Sequence, residues 1–223
     1  MQNLTLIIPS KQEAESLPVF LKELENFNCK KLIVLQREDY VTKTSIDNFN
    51  NIEILVQKKN GYGNALIEGI NNVKTEFCCI INADGSMDPK YLFKMMEKCN
   101  DQDFVFTSRY QKPGGGSDDD DFITLIGNKI FSLIGNLFFR LNISDILFTY
   151  ILGKSASFKK LDLKKEDFRI CVELPIKANR LGLSYISLPS HERSRIGGKK
   201  KVNALKDGFL ILIEMIRLFF KKT

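Results

Sequence analysis

The sequence predicts an α/β protein: a mostly parallel sheet with helices on both faces, extended by a basic amphipathic C-terminal helix. Two observations carry the sheet. Short runs that are apolar at nearly every position recur along the first half of the chain, and segments of helical periodicity separate them. Strands of that composition are buried on both faces, which requires helices packed on each side. A third observation carries the last helix. Between His191 and Thr223, nine Lys or Arg stand against three acids, which accounts for the whole formal charge of +6.

The elements follow in order. "LTLIIP" (Leu4 to Pro9) reads as a strand and "AESLPVFLKELENF" as a helix. "KLIVLQ" (Lys31 to Gln36) and "IEILVQ" (Ile52 to Gln57) are the next strands, followed by the helix "NALIEGINNV". "FCCIIN" ends at Asn82, the helix "PKYLFKMMEKC" opens at Pro89, and "DFVFTS" (Asp103 to Ser108) is a fifth strand. In such sheets ligands bind beyond the carboxyl ends of the strands. "QKPGGGSDDDD" (Gln111 to Asp121) predicts a mobile acidic loop. A long helix or helix pair to about Asn142 follows, then a shorter strand, "TYILGKSASF". "ELPIKANRLG" is a helix ending at Gly182, and "LSYISLP" is an edge strand stopped by Pro189. No internal repeat is visible. The organisation is one domain over 1–202 and an amphipathic helix over 203–223.

Composition narrows the function. The five cysteines (29, 78, 79, 99 and 171) are odd in number and lack CxxC spacing. That argues for a reducing, cytoplasmic setting and against a disulfide framework or a zinc site. With His191 as the sole histidine, a histidine metal site is excluded. "MQNLTLIIPS" lacks the basic flank of a signal peptide. Residues 122–139 carry Asn128, Lys129 and Asn136, and 208–220 are short and carry Glu214 and Arg217, so neither reads as a spanning helix. The basic tail suits phosphates or lipid head groups. Few aromatics are interleaved with its cations, so nucleic acid is not expected.

Three strand ends carry chemistry. Asn82, Asp84 and Asp88 offer hard oxygen ligands suited to Mg²⁺ or Mn²⁺ on a diphosphate. Spacing alone leaves a plain turn open, and Asp88 before Pro89 is also a helix cap. Gly61 and Gly63 in "NGYGNALIEG" allow a tight turn beside a nucleotide-sugar, or an ordinary βα turn. Glu13 and Glu15 open a helix, where acids are favoured in any case. "SHERSRIGGKKK" places cations around two glycines, suited to a solvated run or to a loop closing over phosphates.

Taken in order from Leu4 to Gly208, these motifs resemble the family-2 glycosyltransferases of GT-A-type, Rossmann-like fold. The closest resemblance is to the dolichol- or polyprenyl-phosphate mannosyl- and glucosyltransferase branch. "IIPSKQEAESL" resembles the nucleotide-binding opening through Pro9 and Glu13. "GYGNALIEG" matches through Gly61, Gly63, Ala65 and Gly69, and "NADGSMDP" through the metal motif with Asn82, Ala83, Asp84 and Asp88. "TSRY" resembles the segment whose arginine, here Arg109, lies near the phosphates. Asp145 resembles the acid before the acceptor-side strand. Glu173, Pro189, Arg195, Gly198 and Lys201 resemble the late motif. The sequence departs from the family at Asn82, usually aspartate, and at "LQREDY", where Glu38 or Asp39 stands for a base-reading pair.

The resemblance implies transfer of a hexose from a UDP- or GDP-linked sugar to a polyprenyl phosphate or a glycan. Asp84, Asn82 and Asp88 would hold Mg²⁺ or Mn²⁺, and Glu13 would contact the nucleotide. Arg109, Arg195 and Lys201 would hold the phosphates. A phosphate acceptor needs little base help, whereas a sugar hydroxyl would call on Asp145 or on Asp118 to Asp121. Asn82 keeps a second reading open, a weakened or inactive nucleotide-sugar-binding protein. The apolar face of 203–223 suits an anionic membrane surface at the inner leaflet, core packing or a homodimer contact alike.

Overall fold

The computed structural model describes residues 1–221; the last cation of the tail, Lys222, and Thr223 lie outside the described residues. The strands in chain order are β1 (Leu4–Ser10), β2 (Lys30–Leu35), β3 (Glu53–Val56), β4 (Phe77–Ile80), β5 (Phe104–Ser108), β6 (Gly116–Ser117), β7 (Ile151–Lys154), β8 (Tyr185–Pro189) and β9 (His191–Glu192). Seven form one sheet in the order β3-β2-β1-β4-β7-β5-β8. All pairings are parallel except those of β7, which runs antiparallel between β4 and β5. The carboxyl ends of the six parallel strands therefore share one edge, as the sequence predicts, and β8 is an edge strand.

Alternation explains the apolar runs. Leu4, Leu6 and Ile8 of β1 enter one core, while Ile7 enters the other, paired in register with Leu32 and Ile80. β4 does the same, with Phe77 and Cys79 on one face and Cys78 and Ile80 on the other. Each buried Leu or Ile contributes roughly 1.5–3 kcal/mol. Pro9 sits in β1 beyond the last β4 pairing, so its missing N–H breaks no ladder bond there.

On one face lie α1 (Leu17–Leu24) and α4 (Leu92–Cys99). α1 buries Leu17, Phe20, Leu21 and Leu24, the spacing of one helical stripe, and Pro18 stands in its first turn. The other face carries α3 (Tyr62–Asn72), α5 (Phe122–Phe139), α6 (Ser155–Lys160), α7 (Ile170–Arg180) and α8 (Ala204–Phe220); a short α2 (Tyr40–Ser45) follows β2. α8 packs against α5 and α7 and buries Ile211, Met215 and Leu218.

One alternative is resolved and two expectations change. Residues 122–139 form one helix, stopped at Arg140 in the left-handed region (φ 56°). The stretch expected as strand through Phe158 leaves the sheet after Lys154, because β4 begins at Phe77 and offers only Glu76 O to Ser155 N (2.8 Å). The chain then turns into α6, whose Phe158 packs edge-on against Phe104. The glycine-rich acidic loop is not free, since β6 inside it pairs with β9.

Gly63 is sterically fixed. A Cβ there would lie 2.1 Å from Lys165 O and 2.7 Å from Asp167 O, and neither backbone carbonyl can yield cheaply. Gly127 in α5 has open space around the same position. Denaturant unfolding should show Gly63→Ala losing about 1–3 kcal/mol, and Gly127→Ala gaining up to about 1 kcal/mol.

Candidate functional site

The chain beyond β4 turns tightly at Asp84. Its Oδ1 accepts bonds from Ser86 N (3.1 Å) and Ser86 Oγ (2.9 Å), and Gly85 takes φ +75°. Asp84 Oδ2 faces Arg195 Nη1 at 3.7 Å. Ala83 is buried in the core and anchors the turn. Asn82 Oδ1 accepts from Tyr62 Oη (3.1 Å), which also bonds the Thr149 hydroxyl (2.6 Å). At the neighbouring tip, beyond Pro9, Glu13 binds Ser16 Oγ through Oε2 (2.6 Å) and Lys201 Nζ through Oε1 (3.1 Å). Its backbone N–H donates to Thr42 Oγ1 (2.9 Å).

One basic segment spans both tips. Arg193 N donates to Ser86 O (2.9 Å) and Ile196 N to Asp84 O (2.8 Å), so 193–196 runs along the β4 turn. The Ile196 side chain fills the space a Gly85 Cβ would need, and Gly198 (φ +76°) passes close to Glu13. Arg195 pairs with Asp119 (Nη2–Oδ2 2.7 Å), and Lys200 donates to Asp119 O (2.6 Å). The structure thus brings together Glu13, Asp84, Arg195 and Lys201, four of the sequence-predicted residues, and adds Asp119. An open cavity of about 560 Å³ lies instead at the other edge, beside Met1, Glu76 and Asn100.

Arg109 is placed differently from the expectation. It is only 7% exposed and makes a two-pronged bond to Asp145 (Nε–Oδ2 2.7 Å, Nη2–Oδ1 2.9 Å). Its Nη1 reaches Asp120 (3.0 Å) and Glu192 (3.1 Å). Phe148 lies over the guanidinium at 4.5 Å from the ring centroid. Arg109 has no donor pair left for a diphosphate, and Asp145, 1% exposed, cannot reach an acceptor hydroxyl. Burial opposes the charge on Arg109, yet Asp145 and Glu192 hold its pKa well above the ordinary value. Burial pushes Asp145 and Glu192 upward, against the pull of Arg109.

Other sequence-predicted residues serve the scaffold. Gly61 and Gly63 admit the backbone of 165–167 rather than a nucleotide, with Asn64 N donating to Glu166 O (2.9 Å). Glu173, buried in α7, accepts from Lys164 N and Lys165 N (2.8 Å) and pairs with Lys177 (2.7 Å). Asp88 caps the following turn through Lys90 N (3.0 Å) and pairs with the exposed Lys90 Nζ (2.8 Å). Asp39, one of the two base-reading candidates, accepts from Gln12 N (2.6 Å) and caps α2; Glu38 is exposed. The acidic run is partnered throughout: Asp118 with His191, Asp119 with Arg195, Asp120 with Arg109, and Asp121 capping α5. Tyr62, Thr149 and the individual role of Asp119 escaped the sequence reading. Tyr62 stands between two glycines at a helix start, which is its only local signal.

No group of three or more His, Cys, Asp or Glu side chains that could cage a metal occurs among the described residues. What fits is a cation held by one protein carboxylate, Asp84, and completed by substrate phosphates and water, the usual manner for Mg²⁺ and Mn²⁺.

The fold and this edge define a GT-A-type glycosyltransferase. The chain belongs to glycosyl transferase family 2, whose model matches residues 5–162. A glycosyltransferase from Mycobacterium bovis, named as uncharacterized, is 28% identical over 211 residues, 94% of both chains. Mannosyl-3-phosphoglycerate synthase from Rubrobacter xylanophilus superposes with TM-score 0.72 at 15% identity, covering 96% of this chain and 72% of that one. Glucosyl-3-phosphoglycerate synthase from Mycobacterium tuberculosis, solved with Mn²⁺, UDP-glucose and phosphoglyceric acid, superposes with TM-score 0.74 at 10% identity, covering 99% and 80%.

The Arg109 cluster should leave a pH signature. Glu192 binds its proton more readily folded than unfolded. Its contribution to stability is therefore full below the ordinary glutamate value of about 4.3 and is lost as pH rises through the folded-state value. Unfolding wild type and Glu192→Gln in denaturant across pH should show the difference shifting in favour of wild type as pH falls from neutrality. A difference that does not move with pH would refute this account.

Proposed function

We propose that this glycosyltransferase moves a hexose from a UDP- or GDP-linked sugar to a phosphate-bearing acceptor, a polyprenyl phosphate, in cell-surface glycan synthesis. The observation that carries the reading is the pairing of Asp84 and Glu13 with Arg195 and Lys201 across the strand tips. Anions that would hold a metal and a nucleotide, and cations that would hold phosphates, already stand within reach of one another. On donor binding Arg195 and Lys201 would turn to phosphate oxygens, and Asp84, released from Arg195, would be free to hold the metal. Arg195 presents a planar fork suited to two phosphate oxygens, and Lys201 a point charge.

Asp84 would hold Mg²⁺ or Mn²⁺, with Asn82 as a neutral neighbour whose amide oxygen is oriented by Tyr62. The metal, when bound, supplies charge neutralisation for the leaving diphosphate. Asp145 and Asp120 are sealed against Arg109 and would not serve as a general base, whereas Asp119 would be released when Arg195 turned to phosphate, and Asp118 and Asp121 are more than half exposed. An acceptor that is already anionic, a phosphate, needs little help from any base, and the cations Arg195 and Lys201 suit it. Rate enhancement then rests on positioning and fixed charge. The solved neighbours named for phosphoglycerate handle a phosphate-bearing acceptor, which matches the acceptor's charge and not the phosphate as the attacking group.

Asn82 sustains the second reading, a nucleotide-sugar-binding protein with weakened turnover, because its amide brings no charge to the metal. A thermal-shift panel of UDP- and GDP-sugars with and without Mn²⁺, followed by transfer to a short polyprenyl phosphate, separates the two. Transfer should require the metal, and Asp84→Ala should reduce it about 10²-fold or more. Asn82→Asp should lower the Mn²⁺ concentration needed for half-maximal nucleotide binding. Donor binding without transfer to any acceptor would establish the weakened form; no donor binding would overturn both.

A further inference from the structure

α5 and α8 lie side by side with the same direction. Lys200, just before α8, approaches Asp121 at the cap of α5 (3.7 Å); Gly208 faces Phe131; Phe219 packs edge-on against Phe138 and Phe139. Their inner sides bury Asn128, Ser132 and Gly135 of α5, and Ile211, Met215 and Leu218 of α8. Their outer sides are apolar. Seven large hydrophobic side chains from each helix are more than a third exposed, among them Phe122 (75%), Leu133 (66%), Phe209 (64%) and Phe220 (78%). They recur at helical spacing along about 26 Å of each helix. The apolar area is on the order of 1,000 Å², beyond the ~300–600 Å² of the largest patch on a typical monomer.

Charge decides what covers this face. The exposed charged side chains on the two helices are Lys129, Lys206 and Arg217, all cations. Lys199 and Lys200 adjoin one end, and Arg140 and Lys221 the other. Glu214, the acid of the α8 midsection, is turned inward and paired with Lys165 (2.7 Å). Half-buried Asp207 and exposed Asp121 are the acids at one end of the face, so a second copy docking through it would still bring more cations than acids against their own equivalents. A bilayer surface carrying anionic lipids meets both features, taking the apolar side chains into the acyl boundary and the cations among the head groups.

We infer that the α5–α8 face docks on an anionic lipid bilayer surface. The two helices lie in the plane of the interface and do not cross it: α5, long and apolar enough by composition to span, is packed along α7 and α8. The docked face adjoins the strand-tip edge through Lys200 and Asp121, so a lipid-borne substrate would reach the site without leaving the membrane. The surface stands on exposure and charge alone, independent of the sugar or acceptor.

Flotation of the full chain, without nucleotide, on phosphatidylcholine vesicles with and without phosphatidylglycerol tests it. Wild type should float with the anionic vesicles and far less with neutral ones. The double variant Leu133→Glu with Phe209→Glu should lose at least tenfold in binding while keeping its melting temperature. Lys129→Gln, Lys206→Gln and Arg217→Gln together should weaken binding to anionic vesicles roughly 100-fold, about fivefold per cation. The inference is overturned if wild type stays with the sediment, or if either variant floats as wild type does. It is equally overturned if light scattering shows a wild-type dimer that the Glu variant makes monomeric, because the face is then covered by a second copy.

Discussion

One buried guanidinium holds the functional edge together. Arg109, at the end of β5, ties the 145–148 segment through Asp145 and Phe148, the acidic loop through Asp120, and β9 through Glu192. β6 of the acidic loop pairs with β9, the 145–148 segment belongs to neither strand, and Arg109 joins all of them to the end of β5. Removing one partner from such a desolvated set costs about 3–5 kcal/mol, because the remaining charges stay buried. The cluster therefore behaves as a fixed part of the fold. Its consequence reaches the site: holding Asp120 also places Asp119 against Arg195.

The second set of charges differs in kind. The side chains of Arg195 and Lys201 are about a fifth to a quarter exposed. Pairs nearer to solvent are worth little net, ~0–1 kcal/mol at the surface, so they can be traded for a substrate's phosphates at small cost. The same residue types, arginine and carboxylate, thus do two jobs within one edge. Water access separates them: dry pairs hold shape, and wetter pairs stand ready for exchange.

A scaffold links this edge to the helical face below. Glu173 pins the backbone of 164–165, that loop closes on Gly61 and Gly63, and Tyr62 between them reaches Asn82. Lys165 also carries the bond to Glu214, so α8 is joined through one loop to the start of α3 and on to the β4 turn. The glycines that looked like a nucleotide cradle are required by this packing.

The sequence by itself determined the α/β class, the strand order in the chain, the edge where the chemistry gathers, and the family. Those features are written in local periodicity and in residues adjacent to strand ends, which short-range physics exposes. Only the tertiary structure decided which charges are spent. Nothing near Arg109 in the chain announces that Asp145 and Glu192 will enclose it, nothing in "NGYGN" announces the 165–167 backbone, and the acidic run read as a mobile loop because its partners lie on β9, on the basic segment and at Arg109. The physical reason is that desolvation and pairing depend on what approaches from distant parts of the chain. A charged residue's role follows from its neighbours in space, and the sequence lists only its neighbours along the backbone.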